Sequence, residues 1–459
     1  MPEFESQLAA ALARGLTEFE SLESAERLTG GASQQTWRLQ VRRAGESQTL
    51  CLRRSVGSVD AGKVTNSTEA RLLQEAKRAG LPVPAVQLLL TPEDGIGEGF
   101  VMSWLEGETL GGRITHSRRF ADIRPTLAHQ CGEILARLHA IDCTATGLDR
   151  VLPAASPEAL VRATWEQYQG FGSPQPMIDY TARWLLDHLP PAVEPALVHG
   201  DFRNGNLMVS ESDGVIGVLD WELAAIGDPV RDLGWVCTNS WRFGRADLPV
   251  GGFGRLDDLL AGYQSAGGAT VDRDHLNFWI VFGSFWWSVC CLIMAESYRS
   301  GENRSVERPA IGRRASEGQA DCVALLIPGP VSVPEPAGSE DSLPRAEELL
   351  GSVAEFLAGD VAGELQGANG YLARVAANSV VIAAREAQLG PALLEAERRR
   401  LTEIDGLAEP SREALALALR DGLSLDSPGL AEHLRHCVHG QLAIDQPDYS
   451  VTKDTPVRA

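Results

Sequence analysis

The stretch from His199 to Glu222 constrains this chain more than any other, because it places acids at both ends of a predicted hairpin. Asp201 and Asn206 stand five residues apart on a glycine-containing loop. Two short apolar runs follow, joined by residues 211–214, and the second run ends at Asp220. A polar turn with glycine between two apolar runs is typical of a β-hairpin. We therefore expect two carboxylates and one amide to converge on a common site.

Phosphoryl transfer requires this set of side chains. One carboxylate orients the acceptor hydroxyl, while an amide oxygen and a second carboxylate hold Mg²⁺ against the phosphates of ATP. The order along the chain follows the kinase pattern of a catalytic loop and a metal-binding aspartate. Gly200 stands where protein kinases have arginine, and Trp221-Glu222 stands where they have Phe-Gly. The pattern predicts Asp201 as the catalytic carboxylate that orients the acceptor hydroxyl, with Asn206 and Asp220 as metal ligands.

The same residues resemble a known family. Residues 199–201 with Asn206, then 220–222 and 227–229, are similar to the motifs of the aminoglycoside phosphotransferase family of small-molecule kinases. Taken singly, each residue is more simply a turn aspartate or a capping asparagine, so the specificity lies in their order and spacing. The resemblance implies an α+β, bilobal protein-kinase-like fold with an antiparallel-sheet N-lobe and a mainly helical C-lobe. It further implies ATP and Mg²⁺ as cofactors, and Arg203 as a catalytic cation that reaches the γ-phosphate.

Further nucleotide contacts follow from the resemblance. Gly31 and Ser33 lie on a glycine-rich turn whose amides can approach phosphate closely, although a plain hairpin turn would look alike. Arg53 ends a predicted strand where kinases carry a lysine, and Glu69 on the next helix is the expected partner of that cation. Backbone groups from Ser103 to Leu105 resemble the hinge strand that binds adenine. Arginine can clamp phosphate in a bidentate way, but its planar fork differs from an ammonium group.

The acceptor is expected to be a small molecule bearing a hydroxyl. The short distance from Asp220 to residues 227–234 leaves no room for an activation loop that would dock a peptide. The Leu-Arg-Arg sequence at 52–54 is similar to family branches fused to acyl-CoA dehydrogenases, which favours a hydroxyacyl-CoA-type acceptor. Alternatives are an aminoglycoside or amino-alcohol kinase, a nucleotide-binding pseudokinase scaffold and a pure interaction protein. Arginines between 299 and 314 fit either an anionic-substrate site or a salt-bridged helix start.

Composition limits the classes of partner. The chain has 459 residues and a net charge of −21, which opposes nucleic-acid and anionic-membrane binding. Eight cysteines without CxxC spacing fit free thiols better than a disulfide framework or a zinc site. The uncharged run 278–295 has the length of a membrane span, but its glycine, serines and cysteines favour a buried helix. We expect a cytoplasmic protein without a membrane span.

Four segments are predicted: an N-lobe at 1–105, a C-lobe at 106–327, a Pro-rich linker at 328–343 and an all-α domain at 344–459. The last segment resembles an uncharacterised helical domain found behind phosphotransferase domains and could serve a protein partner or self-association. Within it, periodicity predicts separate helices at 370–389 and 391–404. His433, His436 and His439 drift around one helix without an evident acid partner, so they do not predict a metal site.

Two more helices are predicted within the kinase-like part of the chain. Ser67 is a candidate N-cap for a helix that ends at Ala79, and residues 165–189 read as one helical stretch. The lone His139 on a third helix is expected to be a hydrogen-bonded core residue rather than a catalytic base.

Overall fold

The structure, a computed structural model, describes residues 2–28, 35–55, 63–335 and 344–451. It forms two compact units. The first comprises residues 1–156, 191–237 and 241–276, and the second comprises 157–190, 238–240 and 277–459. The boundaries at 105, 327 and 343 stay a prediction from sequence pattern.

The first unit contains an antiparallel sheet with strand order β1-β2-β3-β5-β4 and two small two-stranded sheets. The strands are β1 Phe19–Arg27, β2 Gln35–Arg43, β3 Glu46–Ser55, β4 Val86–Leu89, β5 Glu98–Ser103, β6 Ala196–Val198, β7 Leu207–Ser210, β8 Gly214–Val218 and β9 Ala225–Gly227. Strand β6 pairs with β9, and β7 pairs with β8. The second of these pairs is the hairpin predicted between Asn206 and Asp220.

Helices make up most of the remaining described residues. They are α1 Pro2–Gly15, α2 Asn66–Arg78, α3 Gly111–His116, α4 Arg124–His139, α5 Cys143–Thr146, α6 Pro157–Gln169, α7 Pro176–Asp187, α8 Val230–Val236, α9 Leu256–Ser265, α10 Arg273–Arg299, α11 Glu307–Arg313, α12 Ala315–Leu326, α13 Ala346–Phe356, α14 Ala362–Glu364, α15 Gly367–Leu401, α16 Arg412–Arg420 and α17 Leu430–Asp445. The predicted α+β, kinase-like fold with a helical C-terminal part is confirmed.

One face of the five-stranded sheet is covered by α1. Leu8 and Leu12, four residues apart on this helix, are fully buried in one cluster with Leu39, Leu50 and Val101 of the sheet. The apolar residues on one side of the helix therefore pack against the inward-facing apolar residues of the strands and form one core. This core supports strand β3, which carries the predicted nucleotide-binding arginine.

Three local predictions are wrong. Thr65, and not Ser67, is the N-cap of α2, because its side chain accepts the Thr68 amide. The stretch 165–189 contains the end of α6 and the whole of α7, since Gly170, Gly172 and Pro174 interrupt it. The predicted break before Pro391 does not occur.

The continuous helix α15 includes Pro391 in its interior. Proline costs a helix one backbone hydrogen bond but does not always end it. Tertiary packing holds the second half of α15 in place: a Cβ added at Gly440 of α17 would lie only 2.5 Å from Leu393 Cδ2. This close packing offsets the local cost of the proline.

Among the described helices, α10 alone passes a test of length and apolar composition for crossing a membrane. Most of its apolar stretch is buried within the protein, and the core helix of a water-soluble protein passes the same test.

Candidate active site

The loop after β6 is fixed from behind by a buried aspartate. Asp232 of α8 accepts the His199 amide at 2.8 Å and the Gly200 amide at 2.9 Å. His139 of α4 contacts the same carboxylate at 3.3 Å and Tyr263 at 2.9 Å. Burial alone would raise the pKa of Asp232, but His139 and His199 lower it below its ordinary value. Asp232 therefore braces the loop through its backbone, and the structural role expected for His139 agrees with this geometry.

Gly200 is required by the path of this loop. Its φ is +80°, and a Cβ at this position would lie 2.2 Å from the backbone oxygen of Leu223. Side chains rarely adopt this conformation, and the backbone oxygen could not move aside cheaply. The arginine that protein kinases carry here therefore has no room in this chain.

The carboxylate of Asp201 is oriented by three donors. Its Oδ1 accepts from Arg203 Nε at 2.8 Å and from Trp235 Nε1 at 2.7 Å. Its Oδ2 accepts from Asn206 Nδ2 at 2.6 Å. Charge-assisted bonds of this kind fix both the position and the plane of a carboxylate. Asp201 is thus a preorganised acceptor for a hydroxyl.

Hydrogen bonds through His199 and Asn206 connect the catalytic loop around Asp201 to the segment that carries Asp220. The Asp201 amide donates to His199 Nδ1 at 3.2 Å, so His199 Nε2 carries the proton and donates to Leu219 O at 3.1 Å. The Leu219 amide donates to Asn206 O at 2.8 Å. Burial lowers the pKa of His199, which keeps this bridging ring neutral. The predicted convergence of Asp201, Asn206 and the Asp220 segment is present.

A charged cluster surrounds Arg53 of β3. Its guanidinium forms an ion pair with Asp220, lies 3.1 Å from Glu69 Oε2 and lies 3.8 Å from Glu222 Oε2. Lys63 Nζ pairs with Glu222 Oε1 at 3.0 Å. Arg53 thus contacts Glu69, Asp220 and Glu222, and Lys63 places a second cation against Glu222. The predicted Arg53–Glu69 pair is present in the structure.

The acids of this cluster respond differently to burial. Burial raises the pKa of Glu69 to about 7, although Arg53 opposes the shift. Burial also acts to raise the pKa of Asp220, but the Arg53 guanidinium outweighs it and lowers the pKa below its ordinary value. Asp220 therefore stays ionised, as a metal ligand must be.

Arg203 lies over the ring of Trp241, with Cζ 4.2 Å from the ring centroid. Its Nη1 donates to Asn204 O at 2.9 Å, and Trp241 in turn packs edge-on against Trp235 at 5.1 Å. Among the described residues, none accepts a hydrogen bond from Arg203 Nη2. This nitrogen is the part of Arg203 that remains for a phosphate.

Ser103 ends strand β5, and Leu105 follows it in the predicted hinge. The Ser103 amide donates to Ala85 O at 2.9 Å, and its hydroxyl accepts the Ala85 amide at 2.9 Å. Leu105 donates its amide to no acceptor within the described ranges. Gly31 and Ser33, the predicted phosphate-turn residues, lie outside the described residues.

Sequence reasoning assigned no role to Trp235, Lys63 or the His199 ring. Trp235 lies 34 residues after the aspartate that it contacts, so no local pattern links them. Lys63 is one of three lysines in the chain, and this rarity of lysine is the sequence feature that could have marked it as a site residue. His199 was recognised as part of the motif, but its two hydrogen bonds become visible only in the fold.

A model of the phosphotransferase enzyme family matches residues 24–268, which is 245 of 459 residues. The chain belongs to the phosphotransferase enzyme family. This membership confirms the resemblance seen in the sequence. Residues 363–449 match a domain of unknown function, which confirms the uncharacterised helical domain.

Relatives of this phosphotransferase include both enzymes and longer chains. A solved structure from Ralstonia eutropha JMP134, named as a candidate aminoglycoside phosphotransferase, is 25% identical with a TM-score of 0.55 and covers 68% of this chain and 95% of its own. Mouse acyl-CoA dehydrogenase family member 10 is 29% identical over 42% of this chain and 18% of its own. Chicken acyl-CoA dehydrogenase family member 11 is 29% identical over 45% of this chain and 28% of its own. The chain therefore matches less than a third of these curated relatives' length.

Proposed function

We propose that this phosphotransferase uses ATP and Mg²⁺ to phosphorylate a hydroxyl group of a hydroxyacyl-CoA-type acceptor. The observation that carries the proposal is the hydrogen-bonded unit of Asp201, Asn206 and Leu219, which places the Asp220 segment beside the catalytic loop. This arrangement supplies the two functions that phosphoryl transfer needs, a cation site and an oriented carboxylate.

The proposed cation ligands are the side-chain oxygens of Asn206 and Asp220. Asn206 donates its nitrogen to Asp201, so the amide oxygen is the end that remains available. Asp220 uses Oδ1 for Arg53, and no described residue donates to its Oδ2. A carboxylate and an amide oxygen suit a hard divalent ion that retains waters and phosphate oxygens as further ligands. When bound, Mg²⁺ offsets charge on the transferring phosphoryl group.

Asp201 is proposed to accept the hydrogen bond of the acceptor hydroxyl. Its Oδ1 already takes two donors and Oδ2 takes one, so Oδ2 is the oxygen with accepting capacity left. Because the transfer transition state is loose, the direction of this oxygen matters more than its basicity. The bond from the γ-phosphorus to the bridging oxygen of ADP breaks as the bond from the hydroxyl oxygen to that phosphorus forms, and the hydroxyl proton passes to Asp201 late in this step.

The remaining roles concern the nucleotide. We propose that Arg53 holds the α- and β-phosphates while Glu69 keeps its guanidinium in place, and that Arg203 Nη2 reaches the γ-phosphate. Leu105 is the proposed donor to adenine, since the Ser103 amide is already bonded. Gly31 and Ser33 are proposed to cover the phosphates from their glycine-rich turn. Together these residues position and stabilise charge rather than form covalent bonds.

The acceptor class rests on relatives. Those named as acyl-CoA dehydrogenase family members match this chain over less than half its length, and their names connect such kinases with acyl-CoA chemistry. Three of the arginines between 299 and 314 add no support, because Arg299, Arg313 and Arg314 pair with Glu296, Asp445 and Glu317. The salt-bridged helix start is the interpretation that fits them.

The test is an acceptor screen with the full chain and Mg-ATP. ADP release and ³¹P spectra are recorded with hydroxyacyl-CoA thioesters, amino-sugars and amino-alcohols, and Asp201→Asn serves as the matched inactive control. We expect a phosphate ester of the hydroxyacyl-CoA, absent with Asp201→Asn. Turnover of amino-sugars alone would overturn the acceptor class but leave the kinase. Mg-ATP binding without any turnover would indicate the pseudokinase scaffold, and no thermal stabilisation by Mg-ATP would contradict ATP use.

A further inference from the structure

A second cluster of metal-binding side chains lies in the helical unit, independent of phosphoryl transfer. Glu397 of α15 faces His433 and Cys437 of α17, and one ligand atom from each lies within 4.8 Å of the other two. From these contacts we propose a zinc site with three protein ligands and a fourth position open to a cavity.

The helix geometry explains how the ligands meet. His433 and Cys437 are four residues apart, so their side chains lie above one another on one face of α17. Cys437 Sγ lies 3.5 Å from His433 Nε2. Tetrahedral zinc with its usual Zn–N, Zn–S and Zn–O bond lengths requires ligand atoms about 3.3–3.8 Å apart. The sulfur–nitrogen pair is already at that spacing, and the Glu397 oxygen, which lies within 4.8 Å of both atoms, needs to approach them by up to about 1.5 Å.

The buried imidazole is the second observation. His433 is only 1% exposed, and within the described ranges its ring makes a hydrogen bond only with the sulfur of Cys437. Sulfur is a weak hydrogen-bond partner, so this arrangement leaves a buried polar ring poorly satisfied. A coordinate bond to zinc would satisfy it.

Nearby cations shape the charge of the site. Arg412 donates to both carboxylate oxygens of Glu397, through Nε to Oε1 at 2.8 Å and through Nη2 to Oε2, and Arg400 Nη2 lies 3.7 Å from Cys437 Sγ. A thiolate and a carboxylate would neutralise Zn²⁺, and each could keep its arginine as an outer hydrogen-bond donor. Arg412 is 46% exposed, so water solvates much of its charge. Arg400 and Arg412 are therefore placed to donate hydrogen bonds to the anionic zinc ligands without contacting the ion.

The three side chains line a cavity of about 430 Å³ in the same helical unit. Apolar residues make up part of the wall, among them Met177, Leu292 and Leu434. A zinc site with three protein ligands that opens on a cavity binds water or a small donor ligand in its fourth position, whereas closed structural sites use four protein ligands. The cavity thus gives the site an accessible face.

The experiment uses the full chain, stripped with a chelator and then loaded with Zn²⁺ or Co²⁺. We expect about one equivalent of zinc after dialysis and, with cobalt, a thiolate charge-transfer band and intense visible bands of tetrahedral geometry. Cys437→Ser should abolish the charge-transfer band, and His433→Gln should weaken zinc binding by about 100-fold or more. His436→Gln is the matched control, because this half-buried histidine on the same helix is hydrogen-bonded to the backbone carbonyl of Glu432, away from Cys437.

Circular dichroism separates loss of a ligand from loss of the fold. Cys437→Ser and His433→Gln should retain the helical signal of the His436→Gln protein. Wild-type protein that keeps no zinc after dialysis and shows no cobalt–thiolate band would overturn the site. Equal zinc affinity in His433→Gln and His436→Gln would do the same.

Discussion

At the residue scale, Asp220 is the ligand on which the proposed metal site depends most. Its carboxylate stays ionised because of Arg53, and one oxygen remains for a cation. Asp220→Ala should lower kcat by about 10³-fold or more and weaken Mg-ATP binding, since the transferring phosphoryl loses its charge compensation. Steady-state kinetics and calorimetric titration measure the two effects. Undiminished phosphoryl transfer by this variant would remove Asp220 from the metal site.

Trp235 tests whether the direction of the catalytic carboxylate matters. Its indole N–H donates to Asp201 Oδ1 at 2.7 Å from a buried position. Trp235→Phe should lower kcat by about 10-fold with little change in KM for ATP, because the carboxylate loses one of the donors that orient it. Trp184→Phe, which removes an indole stacked on His188, is the control. A proportional rise in KM with unchanged kcat would indicate a role in binding instead.

Arg53 is expected to stabilise the fold as well as the nucleotide. Arg53→Ala leaves Glu69, whose side chain is only 2% exposed, without its cation. At pH 8, above the pKa of about 7 that burial gives Glu69, breaking this buried pair should lower the free energy of unfolding by about 3 kcal/mol. Urea denaturation measures the loss. Adding Glu69→Gln to Arg53→Ala should restore part of it, and no restoration would mean that the loss comes from packing.

At the scale of elements, local patterns predicted the hairpin and most helices near the site. The hairpin of β7 and β8 follows from apolar runs around an acidic-glycine turn. Patterns failed where two signals competed. Thr65 precedes Ser67 by two residues, and both can cap a helix, so only the backbone at Thr65 decides. Pro391 normally predicts a helix boundary, and the packing of Leu393 against Gly440 overrides it.

Contacts between distant elements are what the sequence alone could not supply. Trp235 to Asp201 and Lys63 to Glu222 join separate elements without a shared periodicity. The same holds for Glu397 and His433, since the acid partner that α17 lacks comes from α15. Asp201, Asn206 and Asp220 were predictable because kinase motifs contain these residue types in a fixed order along the chain.

The catalytic loop makes its own prediction at this scale. Gly200→Ala places a Cβ 2.2 Å from Leu223 O in addition to straining the backbone. Gly80→Ala is the matched control, because Gly80 has φ +78° but nothing within 4 Å of its added Cβ. We expect Gly80→Ala to cost about 1 kcal/mol, and Gly200→Ala to cost at least about 2 kcal/mol and abolish turnover. Equal losses of stability in urea denaturation would show that the loop relaxes around the clash.

At the scale of the whole molecule, charge is distributed unevenly. The chain carries a net charge of −21, yet the site contains Arg53, Lys63 and Arg203. Long-range fields therefore oppose an anionic acceptor or nucleotide, while local cations favour it. Raising the ionic strength would screen the long-range repulsion more than the buried pairs. Under the proposed function, the cations Arg53, Lys63 and Arg203 would offset this repulsion where the phosphates bind.

The free energy of unfolding of the whole chain should depend on pH because Glu69 changes its protonation. In the folded protein burial raises the pKa of Glu69 to about 7 from an ordinary value of 4.5. Between these values the folded state keeps a proton that the unfolded state has lost. The contribution of the Glu69 proton to the free energy of unfolding is therefore complete below pH 4.5. This contribution is lost as the pH rises through 7, and the total loss is roughly 3 kcal/mol.

Glu69→Gln isolates this contribution, because it cannot titrate while all other groups remain. Without nucleotide and Mg²⁺, the unfolding free energy of wild type minus that of Glu69→Gln should fall by roughly 2–3 kcal/mol from pH 5 to pH 8. Urea denaturation at matched pH values provides the measurement. A difference that stays constant or grows with pH would mean that Glu69 is ionised throughout, with Arg53 outweighing the desolvation of its partner.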